Sequence, residues 1–524
     1  MITKLGFYFH TLRFLKPIQV YYRLYYFVLG KIGANKIDFS KVYNKKPVFL
    51  SQQITWSKHS YQAPNVFTFL QISHTFSEEI NWELMTYGKL WQYNLTYFDY
   101  LNQPELSQTE GLFLIHDFIK KGHLLQSALE PYPSSLRIIN WIKFISKHQI
   151  TDSLIVDSLY AQALLLSKRI EYHLLGNHLL ENAFALLHAG LFFQEECFFI
   201  KAKDILKTEL EEQILADGGH FELSPMYHQI LLYRVLETTY LLQQNSEEND
   251  LIAFLKIKAS KMLGWLQATT FSDGSMPLLN DSTINIAPDL VALQKMARLL
   301  NVKSEELLLS ESGYRMFKRN TFELLMDIDG ISPSYQPGHA HADTFNLLLT
   351  SSNQAILVDT GISTYQVNQR RQLERSTSSH NTVTINDQNQ SKVWGGFRVA
   401  QRAKTTLLEE SSANLIAQHD GYSSLGIIHQ RTLSVADKHF EVTDELIGSR
   451  LSGKAHWHFN AGIQLTLNQN EVHFGLGTIQ VEGHEKIVIE AYQQAIGFNT
   501  LVTAQKLIII FKKSLKTAFF IHDK

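Results

Sequence analysis

The stretch GNHLLENAFALLHAGLFF, residues 176–193, has apolar side chains on almost every face of the helix that it predicts. A helix at a protein surface has one apolar stripe, whereas a helix that is apolar all round is buried among others. Asn177, His178 and Glu181 interrupt the apolar pattern near the start of this helix. Because buried polar groups need partners or a cavity, the stretch predicts a buried helix that carries either a hydrogen-bond network or a site.

The segments on both sides of this stretch also read as helices, from about residue 110 to about residue 302. SSLRIINWIKFISKHQI, residues 134–150, begins with two serines that can cap a helix and continues with apolar residues at helical spacing. Polar or glycine-rich turns such as ADGGHFELSP (216–225) and FSDGSMPLLNDS (271–282) separate the helices. Successive antiparallel helix pairs of this length predict an (α/α) toroid.

The sequence changes character after about residue 310, where short runs of β-branched and aromatic residues alternate with Gly, Asn, Asp and Ser. Examples are AILVDT (355–360), NTVTIND (381–387) and KLIIIFK (506–512). Many short strands at regular spacing predict an antiparallel β-sandwich. We therefore expect an N-terminal helical or extended segment at 1–60 that packs on the toroid, the toroid itself at 61–308, and the β-sandwich at 309–524.

Composition describes a globular protein and limits its partners. Hydrophobic residues make up 45% of the 524 residues and charged residues 19%, with a formal net charge of −2. No long basic run appears, so nucleic-acid binding has no electrostatic support. Cys197 is the single cysteine, which excludes an intramolecular disulfide and any cysteine-based metal site. A metal ion would have to be held by His, Asp or Glu.

The N-terminal segment is apolar and aromatic, but charged residues interrupt it repeatedly. Lys4, Arg13, Lys16 and Arg23 break it before a signal-peptide core of adequate length forms, and the chain has no uncharged run of about 18 residues for a spanning helix. We expect this segment to pack on its own domain, with peripheral membrane contact as a basic amphipathic helix as the alternative. The lack of a signal sequence favours the cytoplasm, with the periplasm as the alternative, and the oligomeric state stays open.

The β half contains a cluster of ionisable residues in PGHAHADTF, residues 337–345. His339, His341 and Asp343 stand at a spacing of two, which places them on one face of an extended strand. Metal ligands, acid/base groups and polar residues on a solvated strand all fit this pattern. Asp359 and His380 follow in later segments, so that His341, Asp359 and His380 could close around one zinc ion.

The helical half offers a second candidate in DGGHFELSPMYHQ, residues 217–229. Ser224 and Pro225 mark a helix start, and Tyr227 falls in the first turn, where the helix dipole can lower the pKa of a phenol. Asp273 and Asp281, in the next turn along the chain, could serve as the paired carboxylates of a glycosidase or as ordinary turn residues.

Several of these stretches, in order along both halves of the chain, resemble the heparinase II/III-like family of polysaccharide lyases. The resemblance covers about residues 80 to 435 and agrees with the toroid followed by a sandwich. It is carried by nine collinear strings, namely LWQYNLTYFDYL (90–101), EPYPSSLRIINWIKF (130–144), GNHLLENAFALLHAGLFF (176–193), DGGHFELSPMYHQ (217–229), DGSMPLLNDS (273–282), GHAHADTFNLLL (338–349), ILVDTG (356–361), RSTSSHNTV (375–383) and HDGYSSLGIIHQRTL (419–433).

The resemblance implies cleavage of a uronic-acid polysaccharide by β-elimination. That reaction needs the uronate carboxyl neutralised, a base for the C5 proton and an acid for the departing O4. In the family's pattern Asn177 and His178 contact the carboxyl and the sugar, and Glu181 lies nearby. Tyr227 acts as base, acid or both, and His339 faces the same cleft.

The resemblance also implies a structural zinc ion and further substrate contacts. The zinc ligands would be His341, Asp359 and His380. Asp343 would lie behind these ligands. The remaining substrate contacts implied are Tyr365, Arg371 and Arg375.

The N-terminal string FHTLRFLKPIQVYYRL, residues 9–24, resembles the subset of this family linked to capsule or exopolysaccharide production. It therefore implies a bacterial capsule or exopolysaccharide as substrate instead of heparin. Two other functions remain as alternatives. One is a glycoside hydrolase on the same toroid, with Asp273, Asp281 or Glu222 as acid and base, and the other is a non-catalytic glycan-binding protein of polysaccharide biosynthesis.

Overall fold

A computed structural model describes residues 2–31, 39, 41–52, 56–448 and 451–522 of the chain. Most of the helices in these ranges precede residue 300. Their bounds are α1 Ile2–Leu12, α2 Pro17–Lys31, α3 Lys89–Tyr97, α4 Gln108–Lys120, α5 Pro131–His148, α6 Ser153–Lys168, α7 Gly176–Phe193, α8 Glu196–Gln213, α9 Pro225–Asn245, α10 Asn249–Thr269, α11 Leu290–Leu299 and α12 Gln369–Glu374.

Most strands in the same ranges follow residue 310. Their bounds are β1 Tyr61–Gln62, β2 Val66–Phe69, β3 Ile72–Thr75, β4 Tyr314–Lys318, β5 Glu323–Asp327, β6 Leu347–Ser351, β7 Gln354–Leu357, β8 Val383–Ile385, β9 Val393–Trp394, β10 Arg398–Val399, β11 Thr405–Glu410, β12 Asn414–His419, β13 Ile428–Val435, β14 His439–Ile447, β15 Ser452–His458, β16 Thr466–Asn468, β17 Glu471–His473, β18 Gly477–Gly497 and β19 Thr500–Ile521.

The helical half is built around α7, the helix predicted from residues 176–193. Nearly all of its residues are buried, and it packs against α5 and α8. Helix α9 begins where Ser224 and Pro225 predict, because the Ser224 Oγ atom accepts a hydrogen bond from the backbone N–H of Tyr227 at 3.3 Å. None of the described helices combines the length and the hydropathy that a membrane span requires.

The β half consists mainly of two antiparallel sheets. One has the strand order β4-β5-β6-β7; the other runs β11-β12-β13-β14-β19-β18-β17-β16, with β15 and β8 paired beside β19. The four-stranded sheet is buried on both faces. Leu324 and Met326 of β5 join the apolar core between the sheets, whereas Leu325 joins the core of the helical half. The four-stranded sheet therefore fixes the loops at its ends against the helices.

The switch from helix to strand lies between Leu299 and Tyr314, the interval that contains the predicted boundary at 308. The small sheet β1-β2-β3 at residues 61–75 was not predicted. Helices α1 and α2 pack on both halves of the molecule. The Gln19 amide donates to the carbonyl oxygen of Leu174 at 3.1 Å on the helical side, and the Thr11 hydroxyl accepts from the Trp394 indole at 3.2 Å on the β side.

Candidate active site

A cleft of about 1410 Å³ lies where the helical half meets the sheets. Helices α7 and α9 contribute Asn177, His178 and Tyr227 to its lining. The loop between β5 and β6 contributes His339, and the loop after β7 contributes Tyr365. The structure thus brings the four predicted catalytic residues and two predicted substrate contacts, Tyr365 and Glu181, to a single cavity.

Tyr227 and His339 form the closest pair in this group. Their rings stack with centroids 3.9 Å apart and an interplanar angle of 30°, and the Tyr227 hydroxyl lies 3.5 Å from that of Tyr365. Burial, followed by the neighbouring Tyr365 and Asp281, raises the pKa of Tyr227 well above its ordinary value. The expectation that the helix dipole lowers this pKa is therefore wrong, because desolvation of the phenolate outweighs the dipole. Tyr227 is a neutral phenol at neutral pH.

Asp281 binds two histidines from behind the cleft. These are His339 and His341 of the loop between β5 and β6, called here the HxH element. Its carboxylate accepts from Nδ1 of His339 and from Nε2 of His341, at 2.9 Å each, and from both terminal nitrogens of Arg371 at 2.5 and 2.7 Å. Asp281 is fully buried. Burial opposes its ionisation, yet Arg371 and the two imidazoles hold the pKa of this carboxyl well below its ordinary value. Sequence reasoning considered Asp281 only as a turn residue or a hydrolase carboxylate, since only the fold brings it under His339.

Asn177 is positioned by Glu222. The Asn177 backbone N–H donates to Glu222 at 2.9 Å, and its side-chain amide donates to the two carboxylate oxygens at 3.0 and 2.9 Å. The same carboxylate lies 3.4 Å from Nε2 of His339. Glu222 therefore links the amide on α7 to the histidine of the β5–β6 loop.

His178 faces the cleft beside the acidic side chain of Glu171. Its Nδ1 atom lies 3.2 Å from a carboxylate oxygen of Glu171, and its ring packs 4.5 Å from that of Tyr132. Burial lowers the pKa of His178, but the Glu171 carboxylate outweighs burial and leaves that pKa above its ordinary value. Because the side chain is 28% exposed, the imidazolium can meet an acidic group of a ligand.

Glu181 also lines the cleft, but its carboxylate is already paired. It accepts from Nε of Arg234 at 3.1 Å, and Arg234 bridges on to Glu237 at 2.5 Å, where Lys143 also binds. Since Glu181 is almost completely buried in this ion-pair network, its predicted role in substrate binding can operate only through the position of Arg234.

Arg371 and Arg375 do not line the cleft, and both are fully buried. The Arg375 guanidinium donates to the carbonyl oxygen of Ala340 at 3.2 and 2.8 Å and to that of Gly396 at 2.7 Å. Arg371 binds Asp281 and also donates to Gly396 at 3.1 Å. The structure thus places them behind the HxH loop as positioning groups, which corrects their predicted role as substrate contacts.

The predicted zinc ligands lie near one another without forming a ready coordination sphere. The rings of His341 and His380 are 5.4 Å apart, and Nδ1 of His380 lies 2.6 Å from the Asp359 carboxylate. Across the described ranges, no group of three or more His, Cys, Asp or Glu residues is arranged to hold a metal ion. Asp359 instead accepts from His380 and from the Asn346 amide at 2.7 Å.

Three buried atoms in this region nevertheless have no hydrogen-bond partner, namely Nδ1 of His341, Nε2 of His380 and Oδ2 of Asp343. Burial lowers the pKa of His341 to about 4 in spite of Asp281, so this imidazole is neutral with a free lone pair. A carboxylate that receives the other ring nitrogen, as Asp359 does for His380, is the usual neighbour of a metal-bound histidine. These free donors are of the types that zinc accepts, namely two imidazole nitrogens and one carboxylate oxygen, with Asp359 behind His380, so the zinc site stays a prediction.

Two family models match the chain. The model described as "Heparinase II/III N-terminus" covers residues 36–305, and the one described as "Heparinase II/III-like, C-terminal" covers residues 302–516. Curated relatives include a heparin-sulfate lyase of Bacteroides stercoris, 24% identical over 320 residues, a match that covers 55% of this chain and 46% of the relative. The heparin-sulfate lyase of Pedobacter heparinus is 23% identical over 389 residues, with coverages of 67% and 55%. The chain thus spans about half the length of the curated relatives it matches.

Solved structures share the fold. A heparinase III structure superposes with a TM-score of 0.66 at 16% identity, covering 86% of this chain and 80% of that one. The Streptomyces coelicolor A3 chondroitin AC lyase superposes with a TM-score of 0.50 at 9% identity, covering 82% and 74%. These likenesses confirm the predicted toroid followed by an antiparallel β-sandwich, and the family matches establish that the chain belongs to the heparinase II/III-like family.

Proposed function

We propose that this protein is a polysaccharide lyase that cleaves a uronic-acid polymer by β-elimination. The observation that carries the proposal is the stacked pair of Tyr227 and His339 on the wall of the cleft, with His178 lining the same cavity. The phenol of Tyr227 and the two imidazole rings in one cavity can supply an acid, a base and a group that carries positive charge when protonated, which are the three parts that β-elimination needs.

The geometry favours His339 as base and Tyr227 as acid. Asp281 engages Nδ1 of His339, so that Nε2, which lies 3.4 Å from the Glu222 carboxylate, is the atom that takes the C5 proton. The electron pair of that C–H bond forms the C4–C5 double bond, the C4–O4 bond breaks, and the Tyr227 hydroxyl gives its proton to O4. The pair is reset when the imidazolium returns a proton to the phenolate, either directly or through a water molecule. Asp281 stabilises the intermediate imidazolium.

His178 and Asn177 would bind the uronate carboxyl. An imidazolium beside the carboxylate stabilises the enolate-like charge that develops when C5 loses its proton. Glu222 holds the Asn177 amide in place, so that this residue meets the sugar without reorganisation. The polymer that we propose is a bacterial capsule or exopolysaccharide, supported by the N-terminal string that resembles the corresponding family subset.

The three carboxylates assigned to the hydrolase alternative do not lie in the cleft. An acid and a base on the two sides of a glycosidic bond stand about 5 to 9.5 Å apart at the substrate. Neither Asp273, Asp281 nor Glu222 lines the cleft. Asp273 lies in an exposed turn, and the other two are buried in fixed hydrogen bonds.

One assay separates the three functions. A panel of uronate polysaccharides, including the capsule polymer of the producing bacterium, is incubated with the protein, and ultraviolet absorbance and reducing ends are followed together. A lyase raises both, since each cleavage creates a C4–C5 double bond. Reducing ends without absorbance would indicate a hydrolase, and tight binding without either signal would indicate a glycan-binding protein.

We also propose that the N-terminal helices contact an anionic membrane surface. Tyr21, Leu24 and Val28 share one face of α2 and are 61%, 64% and 56% exposed, and Phe9 of α1 is 67% exposed. The first 37 residues contain six Lys or Arg and no Asp or Glu, which complements anionic lipids. Co-sedimentation with phosphatidylglycerol vesicles, but not with phosphatidylcholine vesicles, would support this contact. Loss of binding in Tyr21→Ser/Leu24→Ser is expected, and unchanged binding would refute it.

A further inference from the structure

Two guanidinium groups face the cleft from distant parts of the chain. Arg23 belongs to α2 and Arg398 to β10, and both line the cavity with exposed side chains. Within the part of the chain that the structure describes, neither donates a side-chain hydrogen bond or an ion pair to a carboxylate. The cleft is thus given two unneutralised positive charges only when the N-terminal helix packs on the β half.

The two guanidiniums lie within electrostatic reach of each other. The pKa of Arg23 is lowered, first by burial and then by the positive charge of Arg398. Like charges held together in a cavity repel, and an anion between them removes that repulsion. Arginine pairs of this kind suit oxyanions, because each guanidinium offers several N–H donors in one plane.

Arg398 is also oriented in advance. Its guanidinium carbon lies 4.8 Å from the centre of the Trp394 ring and 5.7 Å from that of Tyr8. The Tyr8 and Trp394 rings meet edge-to-face at 4.9 Å, and the Trp394 indole donates to Thr11. These cation–π contacts fix the guanidinium while its N–H groups remain free to bind an anion.

Three other cations that line the cleft, unlike Lys58 and Arg169, are neutralised by carboxylates. Lys89 binds Glu130 at 2.8 Å, Arg234 binds Glu181 at 3.1 Å, and Lys143 binds Glu237. A ligand that bound any of these groups would first have to displace a carboxylate. Arg23 and Arg398 impose no such cost.

The pair borders the proposed reaction centre. Arg398 directly follows Phe397, whose ring lies 6.4 Å from that of His339 and 5.3 Å from that of Tyr365. On the other side, Arg23 lines the same cavity as His173 and His178. The two arginines therefore adjoin the site that would hold the reacting uronate.

We propose that Arg23 and Arg398 form an oxyanion subsite that binds the carboxylate or sulfate of a sugar next to the reacting uronate. This inference rests on the proposed function for the identity of the polymer, and it adds a requirement for the substrate. The substrate carries acidic groups on neighbouring sugars, one at His178 and one at the arginine pair. Polymers that alternate a uronate with a neutral sugar then bind more weakly than polymers acidic at both positions.

Binding without turnover tests the subsite. Every protein carries Tyr227→Phe to prevent cleavage, and the full chain is used throughout. The test variant is Arg23→Gln/Arg398→Gln. The control is Lys295→Gln/Arg298→Gln, which removes two equally exposed cations of α11 that do not line the cleft. Calorimetry measures four probes, namely an octasaccharide of the capsule polymer of the producing bacterium and a heparan sulfate octasaccharide with its desulfated and its carboxyl-reduced forms.

We expect the control to bind like the parent and the arginine variant to bind about tenfold or more weakly, because it loses charge-assisted hydrogen bonds. If the arginines bind a sulfate, the arginine substitution no longer changes the affinity for the desulfated form. If they bind a carboxylate, it no longer changes the affinity for the carboxyl-reduced form. Equal affinity of the arginine variant and the control, or no binding of any probe by the parent, would overturn the subsite.

Failure of the lyase function is distinguishable from failure of the subsite. If proteins with Tyr227 intact show no absorbance change on any polymer while the arginine pair still governs binding, the reaction is wrong and the subsite stands. If absorbance rises equally in the parent and in Arg23→Gln/Arg398→Gln, the lyase stands and the subsite is wrong. Equal melting temperatures of the variants show that differences in affinity or rate arise in the cleft and not from a loss of stability.

Discussion

The Nδ1 atom of His339 lies 2.9 Å from the Oδ2 atom of Asp281, which is fully buried. The other oxygen of that carboxylate is equally close to His341, so that one side chain orients both histidines of the HxH element. The two histidines differ in their surroundings. His339 reaches the cleft, whereas His341 is fully buried behind it.

Replacement of Asp281 by Asn tests this relationship. The substitution leaves Arg371 buried without a counter-charge, so we expect a loss of about 3–5 kcal/mol in the free energy of unfolding. Elimination activity falls as well, because His339 loses the group that orients it. Asp273→Asn, in an exposed turn, serves as the control and should change neither quantity. Full activity in Asp281→Asn would contradict the positioning role.

The same carboxyl gives stability a defined pH dependence. Because its pKa is depressed in the folded state, the Asp281 contribution is present above the ordinary value of 3.8 and is lost as pH falls through the lower folded value. Urea unfolding of the wild type should therefore show this loss developing as pH falls below about 3.8 and complete only below the folded pKa, and Asp281→Asn should lack it. A loss of this contribution near neutral pH would show that the carboxyl is not paired as described.

Removal of the Tyr227 hydroxyl tests the proposed acid. Tyr227→Phe keeps the ring against His339 and should preserve the melting temperature, while the rate of absorbance increase falls about 100- to 10,000-fold. Tyr240→Phe, on the same helix but outside the cleft, is the matched control. Equal rates for both variants would remove Tyr227 from the mechanism.

The pH–rate profile distinguishes acid from base at Tyr227. The folded-state pKa of this phenol is raised above 10.0, so the protonated form persists beyond that pH. An acid at this position predicts that the alkaline fall in kcat begins only above about pH 10. A rate that climbs steadily toward pH 10 would instead indicate a phenolate base.

Arg375→Lys tests whether the buried arginine acts by position. Lysine cannot bind both Ala340 and Gly396 as the guanidinium does, so the HxH loop shifts. We expect kcat to fall up to about 100-fold while KM stays level, since displacements near 1 Å suffice for such losses. Arg370→Lys, five residues earlier in the chain, is the control. A rise in KM alone would restore Arg375 as a substrate contact.

Metal analysis tests the proposed zinc ion. Protein purified without chelator should contain about one zinc per chain, and His341→Ala or His380→Ala should lose it together with part of the thermal stability. His473→Ala, in an exposed strand, should retain it. Asp359→Asn distinguishes two roles of Asp359. If Asp359 is a ligand, the variant loses the metal; if it is only the hydrogen-bond partner of His380, the variant binds the metal more weakly. Metal-free wild-type protein would refute this site.

The periodicity of the apolar residues and the residue composition were enough to predict the toroid followed by a β-sandwich. The all-round apolar pattern of residues 176–193 predicts a buried helix because local periodicity reports the surroundings of a helix directly. The Ser224–Pro225 start of α9 is equally local, since a cap involves only neighbouring residues. The short sheet β1-β2-β3 escaped prediction because each of its strands has at most four residues.

The sequence by itself determined the order of the two halves, the family resemblance and the residues that could carry chemistry. Only the tertiary structure decided the role of each of those residues: which side chains reach the cleft, which ones position others, and which charges remain unpaired. Arg371 and Arg375 differ from Arg398 in their burial and in their partners, and partners such as Asp281 and Ala340 lie 35 to 90 residues away. Burial and pairing at such separations arise from packing, so no local pattern encodes them.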